Sequence, residues 1–382
     1  MAPMADVTDP AWRKLVAECG APPHQLSHNS GKPYSDESDN EYAGRTQQSR
    51  SESWCGGKPH VFWTEFVSAD GLYHTRPHTN FQKQATDSVA HASSFTLKDS
   101  ERAQKVGVGA REIQKLPDAE SPLMRDLAFT EAERPIVAQI FSNKPEMIAY
   151  AVKLVHELGF DGVDINMGCP DRAIERQGCG SAMMKTPKLA QEIIRTAQDA
   201  SPLPVSVKTR VGYAREELDT WLPALLETKP AAITLHLRTR KEMSLVPANW
   251  ERMKKAVEIR DRLAPEVLLI GNGDVQDLKD ARAKAEASGA DGVMIGRGMF
   301  GNPWVFAGRK AEDTPLDEKL AALASLARDF EKLTPRKNFA ILKKHIKAFV
   351  TGFAGAAELR AKLMEAENAT ELEVLVRAAE QK

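Results

Sequence analysis

The stretch "FDGVDINMGCP" (160–170) ends an apolar run on a thiol, Cys169, held between Gly168 and Pro170, with Asn166 three positions earlier. A cysteine of ordinary pKa, about 8.5, is mostly protonated at neutral pH and can act as a general acid, and its rigid and flexible neighbours fix where it points. Asn166 offers a donor beside an acceptor, which suits the planar amide edge of a base such as uracil. A buried, inert cysteine is the other reading. Lys208, in "VSVKTR", stands among valines, where a charge needs a partner. That partner is a carboxylate inside the fold, an electron-rich ring, or a carbonyl substrate held as a Schiff base. Two glycine turns, "GNGD" (271–274) and "GRG" (296–298), can hold a phosphate on backbone N–H groups, with Arg297 adding a charge-assisted contact, or can simply close loops. Gln139 and His236 fit a core amide and a loop cap as well as they fit ligand contacts.

These residues need a frame that brings them together, and the chain has one. From about position 135 a unit repeats: a short β-branched run, a loop with a glycine or polar residue, then an amphipathic helix. The runs are "IVAQIF" (136–141), "GVDINM" (162–167), "VSVKTR" (205–210), "AITLHL" (232–237), "VLLIGN" (267–272) and "GVMIGR" (292–297). With "HVFWTEFVS" (60–68) and the very short "APMA" (2–5) they make eight strands, so the expected fold is α/β, a (β/α)8 TIM barrel. Barrel active sites form at the C-terminal strand ends. Gln139, Asn166, Cys169, Lys208 with Arg210, His236 with Arg238, Asn272 to Asp274, and Gly296 with Arg297 all fall there. A doubly wound open sheet would carry a G-x-G-x-x-G turn after its first strand, and the sequence has none.

The 382 residues carry 52 Lys and Arg against 53 Asp and Glu, a net charge of −1 that argues against wholesale electrostatic binding of nucleic acid or membrane. Four cysteines (Cys19, Cys55, Cys169, Cys179) form neither a zinc spacing nor a disulfide framework, so no metal and a cytoplasmic location are expected. No apolar run approaches the length of a membrane span, so no membrane anchor is expected. The polar stretch at about 22–59 reads as a disordered insertion, and short helices are expected near 81–92 and 121–127. The division expected is a barrel over 1–310 and a small C-terminal helical bundle over 311–382. Lys332, Arg336, Lys337, Lys343, Lys344, His345 and Lys347 give that bundle a local basic excess, either a solvated face or an RNA-facing surface.

Taken together, "APMADVTD", "TEFVSADGL", "VAQIF", "DINMGCP", "VSVKTRVG", "HLRTR", "IGNGDV", "GVMIGRG" and "GFAGAAELRAKLMEAE" resemble, in order, the flavin-dependent tRNA-dihydrouridine synthases. The resemblance implies an FMN on the barrel rim, with Pro3, Met4 and Ala5 by the isoalloxazine and Gln139 and Lys208 at its polar edge. It implies His236, Asn272, Gly273, Asp274, Gly296 and Arg297 around the ribityl chain and phosphate. It further implies NADPH as reductant, Cys169 as proton donor, Asn166, Arg210 and Arg238 on the substrate base, and Lys343, Lys344 and Lys347 on tRNA, with the protein acting as a monomer. Asp6 stands where the family usually has glycine, and Leu237 replaces a common glycine after His236. Three other readings stay open on sequence: an FMN barrel that reduces a small molecule, a Schiff-base lyase using Lys208, and an RNA-binding protein without flavin.

Overall fold

The computed structural model describes Met1, Met4 and residues 9–20, 60–75 and 121–380. The expected insertion at 22–59, the helix expected near 81–92, and the short strand at 2–5 apart from Met4, hence Pro3 and Ala5, lie outside the described residues.

Seven strands form a single sheet: β1 (Phe62–Ser68), β2 (Ile136–Phe141), β3 (Gly162–Met167), β4 (Val205–Arg210), β5 (Ala232–His236), β6 (Leu268–Asn272) and β7 (Gly292–Met294). Each pairs in parallel with the next in chain order. With helices between successive strands, this is the sequential parallel sheet of a (β/α) barrel, as the alternating pattern predicts. The strand ends differ slightly from expectation: Leu237 and the stretch from Ile295 to Arg297 leave the ladder, because the chain there turns into the loops of the rim.

Period-two alternation divides the residues of each strand between two faces. Val163, Ile165, Met167, Val205, Val207, Ile233 and Leu235 face outward into the main apolar cluster beneath the helices. On the inner face, Trp63, Met294, Val137 and Ile270 pack together as a separate apolar plug. Above the plug the interior turns polar, where Asp164, Gln139 and Ser206 bond to one another. The helices follow simple local rules. Helix α1 (Pro10–Gly20) buries Trp12 and Val16, and the helix Pro145–Glu157 starts on Pro145 and buries Ile148, Val152 and Val155.

After β7 come four α-helices, Leu316–Glu331, Lys343–Phe349, Ala356–Leu363 and Ala369–Glu380. Their apolar faces join the same buried cluster as the sheet and α1. Before Lys343–Phe349 the chain makes a 3-10 turn at Phe339–Ile341, because the Asn338 side chain accepts from Ala340 N at 2.9 Å and starts a tight turn. Two residues assigned to a basic surface are buried. Lys337, with its side chain 4% exposed, lies 3.2 Å from both Glu65 and Asp126. His345 packs against Trp12 and Phe300, and burial lowers its pKa to about 3, so it is neutral.

α1 is tied to the segment before β2 by a fully buried pair, Arg13 Nε to Glu133 Oε2 at 2.7 Å. Thr130 donates to the other Glu133 oxygen through its N–H at 2.7 Å and its hydroxyl at 3.1 Å. Arg13→Ala leaves the carboxylate buried with Thr130 as its remaining partner, so unfolding stability is expected to fall by about 3–5 kcal/mol. Denaturant titration checks this; a loss in the surface-pair range of about 0–1 kcal/mol would contradict it.

Candidate active site

Strand register sets the rim. Asn166 lies opposite Lys208, and Arg210, His236, Asn272 and Met294 stand in one row across β4 to β7. Because the strands are parallel and in sequence, polar residues at their C-terminal ends converge on one mouth. A cavity of about 340 Å3 opens there, within the usual range for small-molecule sites. Gln139, Asn166, Cys169, Lys208, Arg210 and His236 line one part, and Asn272, Gly273, Asp274, Gly296 and Arg297 line another, with Met4 beside them. Phe66 and Val275 line it too, although neither was singled out in the sequence: each reads there as an ordinary apolar residue.

Cys169 is held from below by a run of hydrogen bonds. Asp164 accepts from Gln139 Nε2 at 2.5 Å, and Gln139 Oε1 accepts from Asn166 Nδ2 at 3.0 Å. Asn166 Oδ1 then accepts from the backbone N–H groups of Gly168 and Cys169 at 3.1 and 2.9 Å. The Asn166 amide therefore shapes the cysteine loop, and its second N–H has no partner among the described residues. Gly168 is needed because a Cβ there would lie 3.0 Å from Thr209 backbone atoms. Burial pushes the Cys169 thiol above its usual range, and the nearby cations Lys208 and Arg210 offset this only in part. The thiol is a proton store at neutral pH.

The cations differ in how they are held. Arg210 donates from Nε to Gly168 O at 2.8 Å and from Nη1 to the carbonyls of Thr239 and Met243 at 3.1 Å each, which leaves Nη2 to the cavity. Lys208 makes no hydrogen bond or ion pair among the described residues, and burial followed by repulsion from Arg210 lowers its pKa to about 8. An anion or electron-rich group entering the cavity is its natural partner. His236 has its pKa lowered to about 2, first by burial and then by Lys208, Arg210 and Arg238, so it is a neutral imidazole. Its Nδ1 is buried without a partner among the described residues.

At the opposite end Asp274, at φ +48, receives Arg297 at 2.7 Å on one oxygen and Ala248 N at 2.9 Å, together with Arg238, on the other. Arg238 is 2% exposed and also bonds Val246 O, so it lies behind Asp274 and off the cavity wall. The bond from Arg238 holds the Asp274 carboxyl down to about 2. Trp250, unremarked in the sequence, supports this turn. Its indole donates to Gly273 O at 3.1 Å, and its ring sits where a Cβ on Gly271 would be, 2.5 Å away. Gly298 is likewise required, since its Cβ would fall 2.2 Å from Val275 O. Lys343, Lys344 and Lys347 lie on the helix Lys343–Phe349, away from the cavity lining. Lys343 Nζ donates to Met364 O at 2.7 Å, while Lys347 is exposed.

The site can therefore accept a ligand with one planar, hydrogen-bonding part and one anionic part, beside a protonated thiol. Among the described residues no group of three or more His, Cys, Asp or Glu side chains is placed to hold a metal. No helix among them is long and apolar enough to cross a membrane. Alkylation of Cys169 by iodoacetamide, followed by peptide mass spectrometry, is expected to reach half its maximal rate at a pH above the ordinary thiol range of about 8.5. A midpoint at or below that value would show a thiolate rather than an acid.

A family model described as "Dihydrouridine synthase (Dus)" matches residues 112–382. A "Probable tRNA-dihydrouridine synthase 2" of Bacillus subtilis (strain 168) is 32% identical over 390 aligned residues, covering 100% of this chain and 94% of that protein. A "Probable tRNA-dihydrouridine synthase" of Staphylococcus aureus (strain COL) is 42% identical over 253 residues, 65% of this chain and 76% of that protein. A Staphylococcus epidermidis protein of the same description is 40% identical over 257 residues, 65% of this chain and 77% of its own length. On the extent of these matches the chain belongs to the dihydrouridine synthase family, flavin-dependent oxidoreductases built on a TIM barrel.

Proposed function

We propose that this enzyme reduces a uridine of tRNA to 5,6-dihydrouridine in the cytoplasm, as a monomer, with FMN in the rim cavity and NADPH as the reductant. The observation that carries the reading is a protonated thiol on the same cavity as an unpartnered lysine and a neutral, unpartnered histidine, in a chain of this family. The residues present fit the cofactor. Among the described residues His236 Nδ1 lacks a partner and Lys208 makes no direct hydrogen bond or ion pair, and Gly273 at φ +128 lets the backbone approach a ligand closely. When bound, FMN supplies the hydride and recovers its electrons from NADPH.

The protein's own part is placement and proton transfer. Met4, Gln139 and Lys208 would border the planar ring, as would Pro3 and Ala5 on the family resemblance. His236, Asn272, Gly273, Asp274, Gly296 and Arg297 hold the ribityl chain and phosphate, and Asp274 fixes Arg297 for that contact. The second Asn166 amide N–H and the Arg210 Nη2 hold the uracil edge, whereas Arg238, expected on the base, instead braces Asp274 at the phosphate end. With the hydride that bound FMN would supply going to one carbon of the uracil C5=C6 bond, Cys169 would give its proton to the other, so that one π bond would be replaced by two C–H bonds. The thiolate regains a proton from solvent. A uridine reaches this recess only when turned out of its stack.

The helical segment 311–382 is the proposed tRNA-gripping unit, and its available cations are fewer than the sequence suggests. Lys337 and His345 are buried, Lys343 bonds a carbonyl and Lys332 pairs with Asp329, which leaves Arg336, Lys344 and Lys347, the last two together on one helix.

Purified protein should absorb as a flavoprotein and form dihydrouridine in tRNA with NADPH; a colourless protein that forms none would sink the proposal. Cys169→Ala is expected to keep its flavin and its reduction by NADPH while losing roughly 100-fold or more in dihydrouridine formation, the range of a general acid. Unchanged product formation would remove the thiol from the mechanism. Replacing Lys344 and Lys347 by alanine should weaken tRNA binding and lower the slope of log affinity against log salt by about one per lysine. An identical slope would place the tRNA elsewhere.

A further inference from the structure

The hydrogen-bond run from Asp164 secures only the amide nitrogen of Cys169, and a second group of residues secures its carbonyl. Ser181, in the 3-10 turn Gly180–Lys185, donates its backbone N–H to Cys169 O at 2.9 Å. Its hydroxyl lies 2.9 Å from Cys169 O and 2.9 Å from Glu175 Oε1. Gly180, at φ +59, packs so tightly against the cysteine that a Cβ there would lie 2.7 Å from Cys169 O and 3.2 Å from Cys169 Cβ.

Glu175 stands on the short helix Arg172–Arg176 that follows the cysteine loop. Its carboxylate meets the fork of Arg240, whose Nε lies 2.9 Å from both oxygens and whose Nη2 also reaches Oε2. The pair is mostly shielded, with side chains 10% and 24% exposed. Arg240 is itself fixed from β4's loop, since its backbone N–H donates to Gly212 O at 2.9 Å. Burial alone would raise the Glu175 carboxyl, but hydrogen bonds from Arg240, Ser181 and Tyr213 outweigh it and hold the group ionised. Neither residue lines the cavity.

We propose that the Glu175–Arg240 ion pair is a positioning device for Cys169, gripping the cysteine's carbonyl through Ser181 and so holding the thiol where it delivers its proton. The inference rests on Cys169 being the proton donor proposed above. Arg240 belongs to the loop after β5 and Glu175 to the segment after β3, so the clamp ties two rim loops together across β4. A thiol displaced by about 1 Å loses much of its efficiency, on the order of 100-fold in the general case. Two readouts separate this from a merely structural role.

In Arg240→Ala and Glu175→Gln, the rate of Cys169 alkylation, measured at fixed pH on protein without tRNA, is expected to rise severalfold as the loop loosens. In the same variants kcat should fall by about 10–100-fold with KM for tRNA and the flavin spectrum unchanged. Arg240→Lys, which keeps the charge but gives up the fork, should lie between. In a Cys169→Ala background, Arg240→Ala should cost nothing further. Wild-type alkylation rates in both variants, or an equal loss of activity added to Cys169→Ala, would overturn the proposal. Thermal unfolding identifies a variant that fails to fold, and Ser181→Ala, which removes only the hydroxyl link, then supplies the same comparison. A wild-type protein that makes no dihydrouridine would sink the functional reading alone, and the alkylation rates would still decide the clamp.

Discussion

A polar group carried into the interior of a parallel sheet must be met by another, because water cannot reach it there. In this barrel one connected run of hydrogen bonds, from Asp164 through Gln139 and Asn166 to the amide of Cys169, satisfies that demand and at the same time shapes the loop that carries Cys169. Ser206 completes it by donating to Asp164 at 2.6 Å. Burial raises Asp164 to about 6, and the bonds from Ser206 and Gln139 work against that rise. The inner face thus passes from an apolar plug, through a hydrogen-bonded polar layer, to a rim where His236 Nδ1 has no partner among the described residues.

Protonation states follow from the same arrangement. Burial favours the uncharged form of every group, so it acts in opposite directions on the thiol and on the imidazole and amine. Cys169 stays protonated, His236 stays neutral, and Lys208 is brought to about 8. The clustering of Lys208, Arg210 and Arg238 around His236 adds repulsion to burial and strengthens the second effect. The protein groups lining the cavity are therefore mostly cationic on one side, while Asp274 supplies an internal counter-ion on the other.

Much of this was legible in the sequence because strand periodicity and glycine placement are local signals. The bounds 136–141, 162–167 and 205–210 match β2, β3 and β4 residue for residue, and parallel register then brings Asn166 beside Lys208 and Arg210 beside His236. Distant pairings were not legible. Nothing local marks Lys337 as the partner of Glu65, 272 positions away, or Arg240 as that of Glu175, 65 positions away. The basic excess at 332–347 was over-read for that reason, since burial of Lys337 and His345 depends on what packs over them. Arg238 looked like a rim residue, and only the turn of the chain after β5 puts it behind Asp274.

The single apolar cluster that runs from the sheet through α1 into the helices after β7 limits how this protein can be recombined. Trp12 rests on His345 and Phe349, Lys14 reaches Asp329 at 2.7 Å, and Arg125 reaches the carbonyl of Pro335 at 2.9 Å. Grafting the terminal helices of a relative onto this barrel would exchange one side of those joints and leave the other. A chimera would have to carry Trp12, Lys14, Glu65 and Arg125 along with the graft to keep both sides of each joint.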